Sequence, residues 1–241
     1  MNIDLDKIKK AVAANVPGPI GKYRYNSVLI PLVRMPASTL DDSGQAVSCG
    51  IQDTADADEL HILFEVRSDT LRKQPGEIGL PGGKVEAGET PGECAVRETV
   101  EELGIPAGSI NLIGELNYIP TYSNFTMYSF AGEVDFEALK AAVPNRDEVK
   151  EIFYVPLRFF LENEPQHFVS EIAPIIDKSF PLHLVQPEND GYSWRRGTAD
   201  VPIYTWRAED GTTRIIWGLT ARLVWNFAEL VKDAICGKMQ P

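Results

Sequence analysis

Three glutamates pose the first chemical question. In PGECAVRETVEELG, residues 91–104, Glu98, Glu101 and Glu102 stand at i, i+3 and i+4 and therefore share one stripe of a helix. Like charges at that spacing destabilise an isolated helix by roughly 0.2–0.5 kcal/mol per pair, so the stripe needs either water or a cation to relieve it. Oxygen-only donors suit a hard ion, Mg²⁺ or Mn²⁺; Mg²⁺ takes one or two carboxylates and shares its other positions with water and substrate phosphate. A solvated acidic face is the alternative that residue types alone leave open. Two neighbours favour a site. Arg97 lies four residues before Glu101 and can orient its carboxylate, and the Gly82-Gly83 pair just ahead of the helix lets backbone approach a ligand or a strand closely.

Taken with its flanks, GKVEAGETPGECAVRETVEELGI, residues 83–105, resembles the Nudix box: glycine, five residues, Glu, seven residues, then Arg-Glu-hydrophobe-x-Glu-Glu-x-Gly-hydrophobe. Gly83, Glu89, Arg97, Glu98, Glu101, Glu102, Gly104 and Ile105 fit the pattern, and Thr99 replaces its usual bulky aliphatic at a position expected to pack rather than react. The resemblance implies a metal-dependent pyrophosphatase. Carried over residue by residue, it makes Glu98 and Glu102 metal ligands, Glu101 a further ligand or water-orienting group, Arg97 a brace for the carboxylates, and Glu89 a stabiliser of the loop and helix start. Bound metal would neutralise the diphosphate and lower the pKa of attacking water. The general base in this family lies either inside the box or on a later loop, where Glu148 and Glu151 in NRDEVKEIF are candidates. An exposed turn before a strand is the plain alternative for those two.

Directly upstream, LFEVRSDTLRKQPGEIGLPGG, residues 63–83, resembles the additional signature of Nudix coenzyme A pyrophosphatases. Leu63, Arg67, Ser68, Arg72, Gly76, Pro81, Gly82 and Gly83 keep its spacing, whereas Phe64, Glu65 and Leu80 replace the usual Leu, Thr and Phe. Glu65 is the largest chemical departure. The resemblance implies Arg67, Ser68, Arg72, Gly82 and Gly83 as substrate-binding residues, coenzyme A or its thioesters as substrate, and 3′,5′-ADP with 4′-phosphopantetheine as products. Arg67, Arg72 and Lys73 would set cations beside an acidic site, and arginine forks match phosphate oxygens. Ion pairing of Arg67 with Glu65 or Asp69 is the competing structural reading. Two functional alternatives stand beside it: hydrolysis of other ADP-linked diphosphates such as ADP-ribose, and a Nudix-fold binding module without hydrolysis.

The elements that must position these residues can be read from breakers and periodicity. Thr90-Pro91-Gly92-Glu93 is a capping box with proline at the first helical position, and Gly104-Ile105-Pro106 ends the helix, whose apolar Ala95, Val96, Val100 and Leu103 are expected to face inward. The glycine- and proline-rich stretch 71–89 is a long shaped loop. Segments 26–33, 61–68, 110–119, 126–134 and 151–157 read as strands, 136–143 as a short helix, and 3–15 as an N-terminal helix. Residues 36–60 are polar and aperiodic, a surface loop. The segment from Arg214 to Ile235 reads as a strand end running into an amphipathic helix. Alternating strands and helices without a compositional break predict one α/β domain over residues 1–241. The resemblance makes it a Nudix α/β/α sandwich with a mixed sheet, a loop-helix-loop box and a C-terminal helical elaboration after about residue 160. The 36–60 loop and that elaboration are expected to cap the acyl or pantetheine end or to build a homodimer.

Composition sets the outer limits. The chain has 241 residues, 23 basic and 35 acidic, for a net charge of −12. That is the wrong sign for holding nucleic acid by its phosphates. Six acids (Glu86, Glu89, Glu93, Glu98, Glu101, Glu102) fall within 83–105 against only Lys84 and Arg97, so the acidity is partly a site. No stretch approaches the ~20 apolar residues of a membrane span, and the first twenty residues lack a signal-peptide run, which predicts a cytoplasmic protein. Cys49, Cys94 and Cys236 show neither disulfide nor zinc spacing and read as structural. His61, His167 and His183 have no metal-ligand spacing, and Ser68 and Ser123 lack a nucleophile elbow. Tyr192, Trp194, Trp206 and Trp217 serve either to stack on an adenine or line a pantetheine channel, or to pack a core or a subunit interface.

Overall fold

The computed structural model describes residues 4–16, 18–35, 59–181, 184, 194–208 and 211–235. Cys49, Cys236, His183, Tyr192 and most of the expected surface loop lie outside them. Helix α1 (Leu5–Ala13) is capped by the Asp4 carboxylate, which accepts from the Asp6 N–H, yet it buries none of its residues. The chain then enters an eight-stranded mixed sheet built from β1 (Arg24–Met35), β2 (Glu59–Arg67), β3 (Ile78–Gly79), β4 (Gly82–Lys84), β5 (Ile110–Glu115), β6 (Ile119–Pro120), β7 (Phe125–Val134) and β8 (Val149–Pro156). The sheet runs β3-β2-β1-β7-β5, with β4 on β1, β6 on β7 and β8 on β2. β1 and β7 are parallel from Arg24 opposite Phe125 to Val33 opposite Val134, and the other pairings are antiparallel.

β1 reads as a continuous apolar run because both of its faces are covered. Val28, Ile30 and Leu32 point to one side and pack with Ile62, Phe64, Phe153 and the C-terminal helix. Leu29 and Val33 point to the other side, where α2 (Pro91–Leu103) and α3 (Phe136–Lys140) supply Ala95, Leu103 and Leu139. Helices thus lie on both faces of a mixed sheet, the α/β/α sandwich. Phe64 stacks on Phe153 at 5.6 Å between ring centroids, and Phe160 of α4 (Leu157–Glu162) meets Tyr204 edge-on at 5.0 Å.

The C-terminal elaboration contains more than the expected strand end and helix. A second, three-stranded antiparallel sheet, β9 (Gln166–Ile172), β10 (Gly197–Arg207) and β11 (Thr213–Trp217), precedes α5 (Gly218–Ile235). β9 escaped the sequence reading because its residues are almost all exposed and carry no clean alternation. Leu223, Val224 and Phe227 of α5 share the core of β1 and β2, which fixes the elaboration against the main sheet.

Candidate active site

Helix α2 is held at both ends. The Thr90 hydroxyl accepts from the Glu93 N–H at 3.3 Å, while the Glu93 carboxylate accepts from the Thr90 N–H at 2.8 Å, closing the capping box. Those bonds from Thr90 hold the Glu93 carboxyl below its ordinary pKa. Gly104 ends the helix at φ 68°, and a Cβ there would lie 2.2 Å from the Val143 carbonyl oxygen. The inward face differs from the expectation: Cys94, Ala95, Thr99, Glu102 and Leu103 are buried, whereas Val96 and Val100 are half-buried. Thr99 packs as expected, its hydroxyl donating to the Ala95 carbonyl at 2.7 Å. The Cys94 thiol is buried and free, and burial pushes its pKa up to about 12.

Two glycines let α2 close on the sheet. The Gly82 N–H donates to Glu102 Oε2 at 2.8 Å, and a Cβ on Gly82 would lie 2.3 Å from the Ser27 carbonyl oxygen. A Cβ on Gly83 would meet the Glu98 carboxyl carbon at 2.4 Å, so Glu98 rests on bare backbone. Arg97 gathers the acids around it. It donates from Nε to Glu89 Oε1 at 2.7 Å, reaches Glu98 at 3.0 Å and bonds Glu101 at 3.1 Å. Hydrogen bonding to Arg97 holds the Glu89 carboxyl at about 2, and Glu89 also accepts from the Glu86 N–H, fastening the loop to the helix start.

Glu98 and Glu102 turn toward the sheet and meet two further carboxylates. Glu65 is 2% exposed, and its Oε2 has no hydrogen-bond partner. Burial raises the Glu65 pKa, Arg67 partly offsets this, and Glu148 and Glu98 raise it again. Burial likewise raises Glu102, with Glu65 adding to the effect and the Gly82 N–H opposing it. Glu98 is raised by burial against the pull of Arg97, with Glu101 and Glu148 contributing. Glu65, Glu98, Glu102 and Glu148 therefore form one field with more negative charge than its local cations balance.

This donor set fits a hard divalent ion: every donor is oxygen, and Glu65 presents a sealed oxygen with no partner. As they stand, no three His, Cys, Asp or Glu side chains among the described residues are arranged to hold a metal ion. Glu98 is drawn onto Arg97 and Glu102 onto the Gly82 N–H.

The carboxylates lie at one end of a cavity of about 1140 Å³, walled there by Gly82, Gly83, Glu98, Glu102 and Glu148. Arg67 and Lys73 line it from β2 and the loop after it. Several of the expected residues stand apart from this field. Glu101 is largely exposed, tied to Arg97 and outside the cavity wall, because it and Glu102 splay to either side of Glu98. Glu151 is held by Arg214, with one bond of 3.1 Å, and Arg214 also lies over the Phe153 ring. Arg72 is exposed and off the wall, and Ser68 is buried with its hydroxyl against Thr70 at 3.0 Å. The suspected partner of Arg67, Asp69, instead pairs with Lys150 at 2.7 Å.

The sequence reading missed Arg24, Arg222 and the part of the wall supplied by the C-terminal elaboration, Ser170, Ile172, Thr198, Asp200, Val201 and the β11–α5 junction. Trp217, at that junction, is 44% exposed and faces the cavity, whereas Trp206 stacks on Phe153 and Trp194 meets Phe180 edge-on. His61 is buried beside the Glu59 carbonyl, and His167 pairs with Asp200 at 3.0 Å.

A family model described as the NUDIX domain matches residues 44–176, just over half of the chain. The chain belongs to the Nudix family. Curated relatives include a peroxisomal coenzyme A diphosphatase, NUDT7, of Mus musculus, 29% identical over 73% of this chain and 65% of that protein. Nudix hydrolase 3 of Caenorhabditis elegans is 34% identical over 56% of this chain and 58% of its own length. An uncharacterized Nudix hydrolase, NudL, of Pectobacterium atrosepticum is 25% identical over 89% of this chain and 86% of its own. The first two matches thus span less than two thirds of those relatives. Among the described residues no helix is long and apolar enough to cross a membrane.

Proposed function

We propose that this Nudix protein is a metal-dependent pyrophosphatase that hydrolyses the diphosphate of coenzyme A or its thioesters, releasing 3′,5′-ADP and 4′-(acyl)phosphopantetheine. The observation that carries the reading is the pairing of a surplus-carboxylate end with cation-bearing walls in one large cavity. Its volume of about 1140 Å³ is at the upper end of the ~300–1,000 Å³ of ordinary ligand pockets and leaves room for a nucleotide joined to a pantetheine arm. The upstream signature and the coenzyme A diphosphatase among the relatives support the same substrate.

Glu98 and Glu102 hold Mg²⁺ or Mn²⁺ in this reading, with Glu65 and Glu148 adding charge to their field and Glu101 touching the site only through Arg97. The bound ion supplies charge neutralisation of the diphosphate and acidification of water. Arg97 holds Glu98 and Glu101 beside the site, and Glu98 would turn from Arg97 toward the ion on binding. Gly82 and Gly83 admit the phosphate chain close to the backbone. Arg67, whose Nε is buried without a partner, meets phosphate oxygens from the β2 side. Glu148, on the cavity wall within the carboxylate field, takes the proton from the attacking water.

Glu65 favours a second reading, hydrolysis of other ADP-linked diphosphates, because a buried carboxylate replaces the signature's threonine beside Arg67. A panel of coenzyme A, dephospho-coenzyme A and ADP-ribose separates the two: selective turnover of coenzyme A supports the first, equal turnover the second. We take residues 1–241 as one domain, supported by the core that α5 shares with β1 and β2, and a cytoplasmic setting, supported by the cysteine pattern.

A further inference from the structure

Several arginines of this acidic chain are answered by acceptors. Arg97 meets three carboxylates, Arg214 holds Glu151, Arg196 reaches Glu171 and Arg146 bonds the Lys150 carbonyl. Arg222, like Arg67 on the β2 side of the cavity, is not so answered. It lies in the first turns of α5, half-buried and lining the cavity, with no hydrogen bond or ion pair among the described residues. Asp200, the acid of the same wall, is occupied by His167 at 3.0 Å. A half-buried guanidinium without a partner has lost part of its hydration and gained no protein acceptor in return, an arrangement that an anionic ligand completes.

The position of Arg222 narrows the anion. The diphosphate belongs at the carboxylate end, with Glu98, Glu102, Gly82 and Gly83, whereas Arg222 stands on the wall that the C-terminal elaboration supplies. On the same wall, five residues earlier, Trp217 offers an exposed indole of the kind on which a purine stacks. We infer that the β11–α5 junction is the nucleotide subsite and that Arg222 is its specificity-determining residue, binding a phosphate monoester on the ribose of the substrate. This rests on the coenzyme A reading, whose nucleotide carries a 3′-phosphate in addition to the diphosphate. Recognition is direct: the guanidinium forks onto two phosphate oxygens, which the dephospho form and ADP-ribose do not present.

The test is calorimetric titration of the full chain, in Mg²⁺ buffer, with 3′,5′-ADP and with 5′-AMP, neither of which has a diphosphate to cleave. The wild type is expected to bind 3′,5′-ADP about 10- to 100-fold more tightly, the range of a charge-assisted hydrogen-bonded pair. Arg222→Gln removes that ratio, Arg222→Lys keeps part of it, and Trp217→Ala weakens both nucleotides alike. Thermal melts of each variant confirm the fold. A wild-type preference that survives intact in Arg222→Gln overturns the assignment of Arg222 and leaves the substrate reading standing. No wild-type preference overturns the substrate reading and Arg222 with it. If neither nucleotide binds, the ratio is read from kcat/KM for coenzyme A against dephospho-coenzyme A, with the same outcomes.

Discussion

Two parts of the cavity wall, the carboxylate field and the C-terminal elaboration, are assembled over very different distances along the chain. At the carboxylate end, Arg97 finds Glu89 eight residues away and Glu101 four away, and Glu102 reaches Gly82 across twenty. The wall supplied by the C-terminal elaboration exists only because α5 returns to the sheet, where the Thr220 hydroxyl meets the Ile78 carbonyl across 142 residues at 3.4 Å. The first part is built around α2, where Arg97 and the Gly82 N–H answer some of the carboxylates while Glu65 keeps an oxygen without a partner. The second is a wall of half-exposed side chains, Trp217 and Arg222 among them, that leaves groups free for a ligand. Chemistry belongs to the first part and selectivity to the second, so substitutions should separate kcat from substrate preference accordingly.

The largest effect is expected in the carboxylate field. Glu98→Gln removes a charged donor and should lower kcat/KM for a coenzyme A substrate by about a hundred- to thousandfold at saturating Mg²⁺ while leaving the fold intact by circular dichroism. Glu148→Gln is next, lowering kcat by about a hundredfold with little change in KM if it serves as the base. A loss confined to KM would move Glu148 from proton transfer to substrate positioning.

Stability against pH tests the carboxylate field without turnover. Glu65 and Glu102 have folded-state pKa values raised above the ordinary carboxylate range, chiefly by burial. Their contribution is fully present below the unfolded pKa near 4.5 and is lost as pH rises through the raised values. The thermal midpoint in EDTA should therefore fall between about pH 5 and about pH 9, and Mg²⁺ should recover most of that fall by binding the folded state. Glu65→Thr should flatten the EDTA profile. An EDTA profile unchanged by Glu65→Thr would remove Glu65 from the field.

The smallest effect is expected at Glu151, whose pairing with Arg214 is half-exposed and away from the carboxylate field. Glu151→Gln should cost less than about 1 kcal/mol in denaturant unfolding and leave kcat unaltered, in contrast to Glu148→Gln.

This contrast also explains what the sequence could and could not reveal. The capping box, the Gly104 stop and the packing of Thr99 are local events, legible from residue types at fixed offsets. The core strands were legible because β1 and β2 are covered on both faces and so read as apolar runs. Glu148 and Glu151 stay equivalent in the sequence because what separates them, the arrival of Arg214 from a distant strand beside Glu151, is not a local event. Glu65 read as a departure from a signature, since nothing in its neighbours along the chain announces that α2 will seal it against Glu102. Arg72 kept the signature's spacing yet faces solvent, which spacing cannot register. β9 and β10 form a sheet with many exposed positions, where period-two patterning is weakest.

The central claim is tested most directly by incubating the full chain with coenzyme A and Mg²⁺ in oxygen-18 water and identifying the products by mass spectrometry, with Glu98→Gln as control. The account predicts equimolar 3′,5′-ADP and 4′-phosphopantetheine, one of them carrying a single heavy oxygen, and almost no product from the variant. Intact coenzyme A after prolonged incubation, or product formed equally by Glu98→Gln, would contradict it.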